Sequence, residues 1–225
     1  WNLATDGSSW FTAAVEGNDI HVTIQPNAEG SQRLGSMTVM VGDEDNCATA
    51  KINVRQIGDD TEELIYEVLI SEPDFVLTGA PVISSSSEGT ITVDWGDGSQ
   101  KETFQNRRPT HLYENPGRYT IEMSGQAKSL EFGVEGARSY ELQSIISWGK
   151  LGCTTAADMC LGCSALKSIP NDVAGSFASV KSFLGAFSCC DSLEEIPSGL
   201  FRYAAAAKNF EDCFSYCTKI SAIPE

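Results

Sequence analysis

Residues 187–197 read FSCCDSLEEIP. Two adjacent thiols beside carboxylates fit four chemistries: a metal ligand, a disulfide, a nucleophile, or small buried hydrophobes. The chain has eight cysteines; seven lie between Cys153 and Cys217, and the eighth is Cys47. Structural zinc takes four ligands, usually with Cys-x₂₋₄-Cys spacing. Cys160 and Cys163 have that spacing, and Cys189 or Cys213 could complete a set. No second C-x-x-C accompanies them, and the two histidines, His21 and His111, lie far away in sequence. A catalytic cysteine needs a nearby base, and residues 129–225 contain no histidine. A disulfide through Cys153, Cys189 or Cys213 suits an oxidising compartment, although a chain of 225 residues does not need staples. The fourth reading, inward thiols behaving as small apolar groups, depends on their spacing.

Spacing favours that reading. MCLGCSALKSIP, AFSCCDSLEEIP and CFSYCTKISAIP align so that Cys163, Cys190 and Cys217 recur at equal steps of 27. Ile169, Ile196 and Ile223 keep the same step, as do Pro170, Pro197 and Pro224, and Leu166, Leu193 and Ile220. YELQSIISWG is a weaker earlier copy at a shorter spacing, and LEFGV (Leu130 to Val134) is a further candidate. Such units bury their apolar face only against their neighbours. The pattern resembles the BspA-like leucine-rich repeats of gut-bacterial surface proteins, in which F-x-x-C-x-x-L-x-x-I-P recurs. Phe187 to Cys190 and Phe214 to Cys217 fit it; the first copy has Cys160 in place of Phe. The resemblance implies a solenoid, with Cys163, Cys190 and Cys217 stacked inward about 5 Å apart. Cys189 stands outside that column and is expected to be the more reactive of the adjacent pair.

Two zones of period-two alternation precede the repeats. In residues 1–58, Ile20, Val22 and Ile24 share one strand face, Met37, Val39 and Val41 another, and Ile52 and Val54 continue the pattern. Trp10, the Ile20 to Ile24 strand with Pro26-Asn27, Arg33 before Ser36 to Val41, and Val54-Arg55-Gln56 resemble a BACON domain, a small β-sandwich lacking here one or two N-terminal strands. That family implies carbohydrate or mucin binding, or a spacer. Trp1, Trp10 and Phe11 are its aromatic candidates for sugar stacking, and core packing is the competing role. In residues 59–128, ELIYEVLI, Thr90 to Asp94 and Tyr119 to Met123 are expected strands, with a polar serine run at 84–87. Trp95-Gly96-Asp97-Gly98, His111-Leu-Tyr113 and Pro116-Gly117-Arg118-Tyr119-Thr-Ile121 resemble the PKD-type β-sandwich. Gly96 and Gly98 are expected at positive φ, with Trp95, Tyr119 and Ile121 inward. Calcium needs more oxygen ligands than Asp94 and Asp97 supply, so these acids are expected to bond their own turn. His111 is expected to pack and hydrogen-bond.

The expected fold is therefore mainly β and multidomain: β-sandwich modules at 1–58 and 59–128, then a leucine-rich solenoid at 129–225. The chain is 41% hydrophobic and 20% charged, with net charge −16. That charge disfavours nucleic acid and anionic lipid as partners, and no apolar run is long enough to span a membrane. A targeting segment is expected to have been removed before Trp1. The repeat signature closing on SAIPE leads us to expect a short or unusual solenoid cap, or pairing with another chain. No nucleophile elbow, zinc-protease helix or phosphate loop is present, and Glu194-Glu195 reads as a solvated face. No catalytic, cofactor-binding or metal residue is expected. The expected protein is a non-enzymatic, monomeric adhesin outside the cell, lipid-anchored through a segment outside this sequence. Its solenoid would bind a host or microbial surface protein or glycan; the alternative is glycan capture by the β-sandwich modules.

Overall fold

Alternating apolar and polar side chains favour extended backbone with one buried face, and the chain up to Gly125 folds accordingly. The computed structural model describes residues 2–27, 31–42, 47–58, 61–78, 89–105, 107–133 and 139–224. Trp1, Val134 and the serine run at 84–87 lie outside them. The chain is mainly β, with twelve strands in several sheets and no helix among the described residues. Accordingly, no helix there is long and apolar enough to cross a membrane. The chain divides into two compact units, Trp1–Thr61 and Glu62–Glu225.

In the first unit, β1 (Asn2–Thr5), β4 (Arg33–Gly42) and β5 (Cys47–Gln56) form an antiparallel sheet in the order β1-β4-β5. β2 (Phe11–Glu16) and β3 (Asp19–Ile24) form a hairpin turning through Gly17 at φ 65°. Phe11, Met37 and Val54 make its core, with Leu3, Trp10, Ala13, Ile20 and Val22 around them. The predicted faces are only partly covered: Val39 is buried, but Ile24, Val41 and Ile52 are exposed. Val41 lies near the far end of β4, and β4 and β5 have ten residues each against six in each hairpin strand. β1, a strand that the alternation did not announce, adds an edge to β4.

In the second unit, β6 (Leu64–Ile70), β8 (Thr90–Asp94), β9 (Glu102–Gln105), β11 (Gly117–Gly125) and β12 (Leu142–Trp148) form an antiparallel sheet in the order β12-β6-β11-β8-β9. β7 (Phe75–Thr78) pairs with β10 (Thr110–Tyr113). β12 comes from the repeat zone, yet pairs with β6 through two register shifts. One apolar cluster runs without a break from Leu64 in β6 to Cys213. Ile121 and Trp95 are fully buried, and Tyr119 is half-buried against that cluster.

Beyond β12 the backbone forms stacked coils of tight turns. Their bonds follow a rule: the N–H groups of Ala156, Asp158, Cys160 and Gly162 donate to the carbonyls of Ser182, Leu184, Ala186 and Ser188. One repeat later, Phe183, Gly185, Phe187 and Cys189 donate to Asn209, Glu211, Cys213 and Ser215. Every donor therefore meets its carbonyl at one fixed offset along the chain, in the coil that follows. The segment of the weaker copy joins at a shorter step through the parallel bridges Ser139↔Cys163 and Ser144↔Ser168. In the earlier LEFGV segment, Phe132 donates to Met159 at 2.7 Å.

Gly96 and Gly98 lie at φ 75° and 85°. A Cβ at Gly96 would overlap the backbone carbonyl of Thr120, whereas nothing approaches one at Gly98. Both alanine variants incur the left-handed penalty of about 1 kcal/mol. Only Gly96→Ala adds a backbone collision, for a total cost of at least about 2 kcal/mol. Urea unfolding of the two variants checks this; equal midpoint shifts would show that the turn does not pack on β11.

Candidate functional site

The repeat zone answers the question of the adjacent thiols through backbone geometry. Gly162, Cys189 and Tyr216, which share one column of the repeat, all take left-handed conformations, at φ 72°, 60° and 61°. Asp158, Gly185 and Asp212 form a second such column, at φ 55°, 60° and 53°. Each coil thus bends twice at fixed points. The second bend turns the Cys189 side chain away from the column that Cys190 enters: Cys190 is fully buried and Cys189 is half-buried.

The buried sulfurs repeat one bond. The Cys190 thiol donates to the Cys160 carbonyl at 3.2 Å, and the Cys217 thiol donates to the Phe187 carbonyl at 3.0 Å. All eight cysteines are free thiols. Burial pushes Cys153 and Cys213 up to about 12. It also raises Cys160, aided by its hydrogen bond with Cys163. Cys190 is raised by the neighbouring Cys217 thiol and by burial, and Cys217 is lowered by the neighbouring Cys190 thiol. Thiols held neutral by burial are poor nucleophiles and poor metal ligands. Among the described residues, no group of three or more His, Cys, Asp or Glu side chains is placed to hold a metal ion.

The second constellation surrounds the Trp95 turn. Asp94 accepts from the Gly96 N–H at 3.1 Å, and Asp97 accepts from the Ser99 N–H at 2.9 Å. These are the turn-closing bonds expected of Asp. His111, on β10, stacks on Trp95 with centroids 4.8 Å apart and rings 11° from parallel. Its Nε2 lies 2.7 Å from Asp97 Oδ2 and its Nδ1 lies 3.5 Å from Glu102 Oε2. Glu102 also accepts from Trp95 Nε1 at 2.7 Å, and Tyr113 donates to the Trp95 carbonyl at 2.8 Å. The imidazole thus lies between two carboxylates, hydrogen-bonded to Asp97 through Nε2, and braces the turn. Burial raises Asp97, but the bonds from Ser99 and His111 outweigh it and bring the carboxyl down to about 2. Asp97, Ser99, His111, Asn115 and Tyr119 line a polar cleft of about 430 Å³. Sequence reasoning missed Glu102; the signal was its place on β9, across the hairpin from Val93 and so beside the Trp95 turn.

Of the aromatic candidates for sugar stacking, Trp1 lies outside the described residues. Phe11 is 1% exposed and offers no face to a ligand, because it is the centre of its unit's small core. Trp10 is half-buried against it, with ring centroids 4.8 Å apart. Trp95 and Trp148 are buried. The chain matches no protein-family model, no curated protein and no solved structure.

Two outcomes test these assignments. With a maleimide reagent on the folded protein, Cys47 and Cys189 label before Cys190, and peptide mapping reads the order. Equal fast labelling of Cys189 and Cys190 would break the repeat register. The second test concerns acid. Because the Asp97 carboxyl is depressed when folded, its stabilising effect is present above its ordinary value of 3.8. That effect is lost as pH falls from about 4 toward 2. Thermal melts between pH 5 and 2 are expected to show a shallower acid loss in Asp97→Asn than in the parent. Identical slopes would remove Asp97 from the account.

Proposed function

We propose that this chain is a non-enzymatic surface protein in which β-sandwich modules carry a leucine-rich-repeat coil stack that binds a host or microbial macromolecule outside the cell. The observation that carries the reading is the backbone bond repeated from coil to coil at one fixed offset. It supports a stack built to extend a surface, since each unit finds its core only on its neighbours. Exposed aromatics suit macromolecular anchoring, and Tyr140 and Tyr203 are 60% and 40% exposed. The charge of −16 favours partners with basic or neutral surfaces. The chain is proposed to be exported and held at the cell surface.

The polar cleft favours a second reading, carbohydrate capture by the module of residues 59–128. Hydrogen-bonding groups beside a tyrosine edge are the materials of a sugar site.

Retention of the purified chain on glycan arrays, mucin and matrix proteins tests both. Saturable retention weakened about tenfold by Tyr203→Ala, the worth of one aromatic anchor, supports the coil stack. Retention on glycans that survives Tyr203→Ala but is lost in Asn115→Ala assigns binding to the cleft. No retention on any surface would sink both.

A further inference from the structure

One row of side chains runs along the flank of the coil stack, crossing the coils one after another. The N–H of Thr154 donates to the Lys128 carbonyl at 3.0 Å, that of Lys181 to Thr154 at 3.0 Å, and that of Lys208 to Lys181 at 2.9 Å. Chains bonded in this way stand about 4.8 Å apart. Lys128, Thr154, Lys181 and Lys208 therefore lie side by side, and all four are exposed. No acidic side chain among the described residues forms an ion pair with any of the three lysines. Like charges on neighbouring strands repel. A chain with 31 acidic and 15 basic residues has acids to spare for such a row, yet leaves it unneutralised. The next residue in each coil adds hydrogen-bond donors. Thr155 Oγ1, Ser182 Oγ and Asn209 Oδ1 accept from the N–H groups of Ala157, Leu184 and Glu211 at 3.2, 3.2 and 2.9 Å. With each oxygen held by the backbone, the Thr155 and Ser182 hydroxyl hydrogens and the Asn209 amide N–H groups have no acceptor among the described residues. Ser182 and Asn209 are joined by a parallel bridge, so these donors also follow from coil to coil.

We propose that this flank binds an anionic polysaccharide, with the acidic groups of a linear glycan on Lys128, Lys181 and Lys208 and its neutral oxygens on the adjoining donors. Spacing favours a polymer. Three cations spread over about 15 Å suit anions repeated along a chain, whereas a single small anion would meet one lysine or the Lys181–Lys208 pair. The second row favours a ligand rich in oxygen acceptors, since what it offers outward is donors. Neither row holds an aromatic side chain, so unpaired bases would find no face on which to stack. The net charge of −16 repels a broad, densely charged duplex, but its field is screened beyond about 8 Å at physiological salt. A slender glycan lying in the row therefore responds to the lysines it touches. This inference rests on the reading of the coil stack as a binding surface and names a ligand class and a place for it; Tyr140 and Tyr203 belong to neither row.

The test titrates the whole chain with dextran sulfate, carboxymethyl dextran and plain dextran of equal length, and with poly-glutamate and duplex DNA. Saturable binding of either anionic dextran, with none of plain dextran, is the expected result, and the tighter of the two identifies the anion. Lys181→Gln and Lys208→Gln, both at exposed positions, leave the melting temperature unchanged. Each weakens binding about fivefold, and the two together about twenty-fivefold, at the worth of one lysine facing an anionic surface. Each also lowers the slope of log Kd against log salt by about one, because one fewer counterion is released. Asn209→Asp keeps the bond from the Glu211 N–H but replaces the amide donor by a carboxylate, and weakens binding at least as much as Lys208→Gln. Lys51→Gln, in the first unit, leaves binding unchanged. Absence of saturable binding to both anionic dextrans, or full affinity in the double lysine variant, would overturn the proposal. Equal binding of plain dextran, poly-glutamate or duplex DNA would overturn the choice of an anionic glycan. Binding that is lost in Tyr203→Ala but unchanged in Lys181→Gln would overturn this row while leaving the macromolecular surface proposed above in place.

Discussion

The backbone bond from each coil to the matching carbonyl of the next is the constraint on which the repeat zone depends. It sets which residues can share a column, and so which side chains can meet. Its net energy is modest, about 0.5–1.5 kcal/mol per bond. Burial contributes more: a fully enclosed Phe or Leu is worth roughly 1.5–3 kcal/mol, and Phe183, Phe187 and Leu193 are all fully enclosed. The bonds therefore select the register, and the apolar column stabilises what they select. The left-handed bends at Asp158, Gly185 and Asp212, and at Gly162, Cys189 and Tyr216, keep the coils superimposable. Where the residue is not glycine, each bend costs about 1–2 kcal/mol, which burial of the neighbouring column offsets.

That register reaches back into the sheet. β12 bonds to β6 on one side, and its Ser144 bridges to Ser168 of the next coil on the other. A single strand thus ends the antiparallel sheet and begins the parallel stack. Its two register shifts against β6 are the local adjustment between these pairings. Trp148 marks the seam: its indole donates to the Pro170 carbonyl at 3.0 Å, and its ring packs on Phe177. Because one core is shared, the sheet and the coils of this unit are expected to resist unfolding as one cooperative body.

The Trp95 turn shows how titratable groups serve packing. Asp97, His111 and Glu102 have the residue types of a proton-transfer site. Here every one is committed: Asp97 to Ser99 and His111, Glu102 to Trp95, and the imidazole to the indole face. A buried indole N–H needs an acceptor, and Glu102 supplies it across the hairpin.

Local patterns were enough to place much of this. Period-two alternation located β6, β8 and β11; the glycines of the Trp95 turn required positive φ; and the regular recurrence of the repeat separated Cys190 from Cys189. These features depend on residues close in sequence or repeated at a fixed interval, so one dimension suffices to read them. What the tertiary structure decided depends on pairing between distant segments. Phe11 became core instead of a ligand platform because Met37 and Val54 close over it. Glu102 became the partner of Trp95 because a hairpin folds it back. β12 joined a sheet from another zone because β6 offered it an unpaired edge. A strand's own residues specify which face is apolar, but the identity of the surface that covers that face is a property of the folded chain.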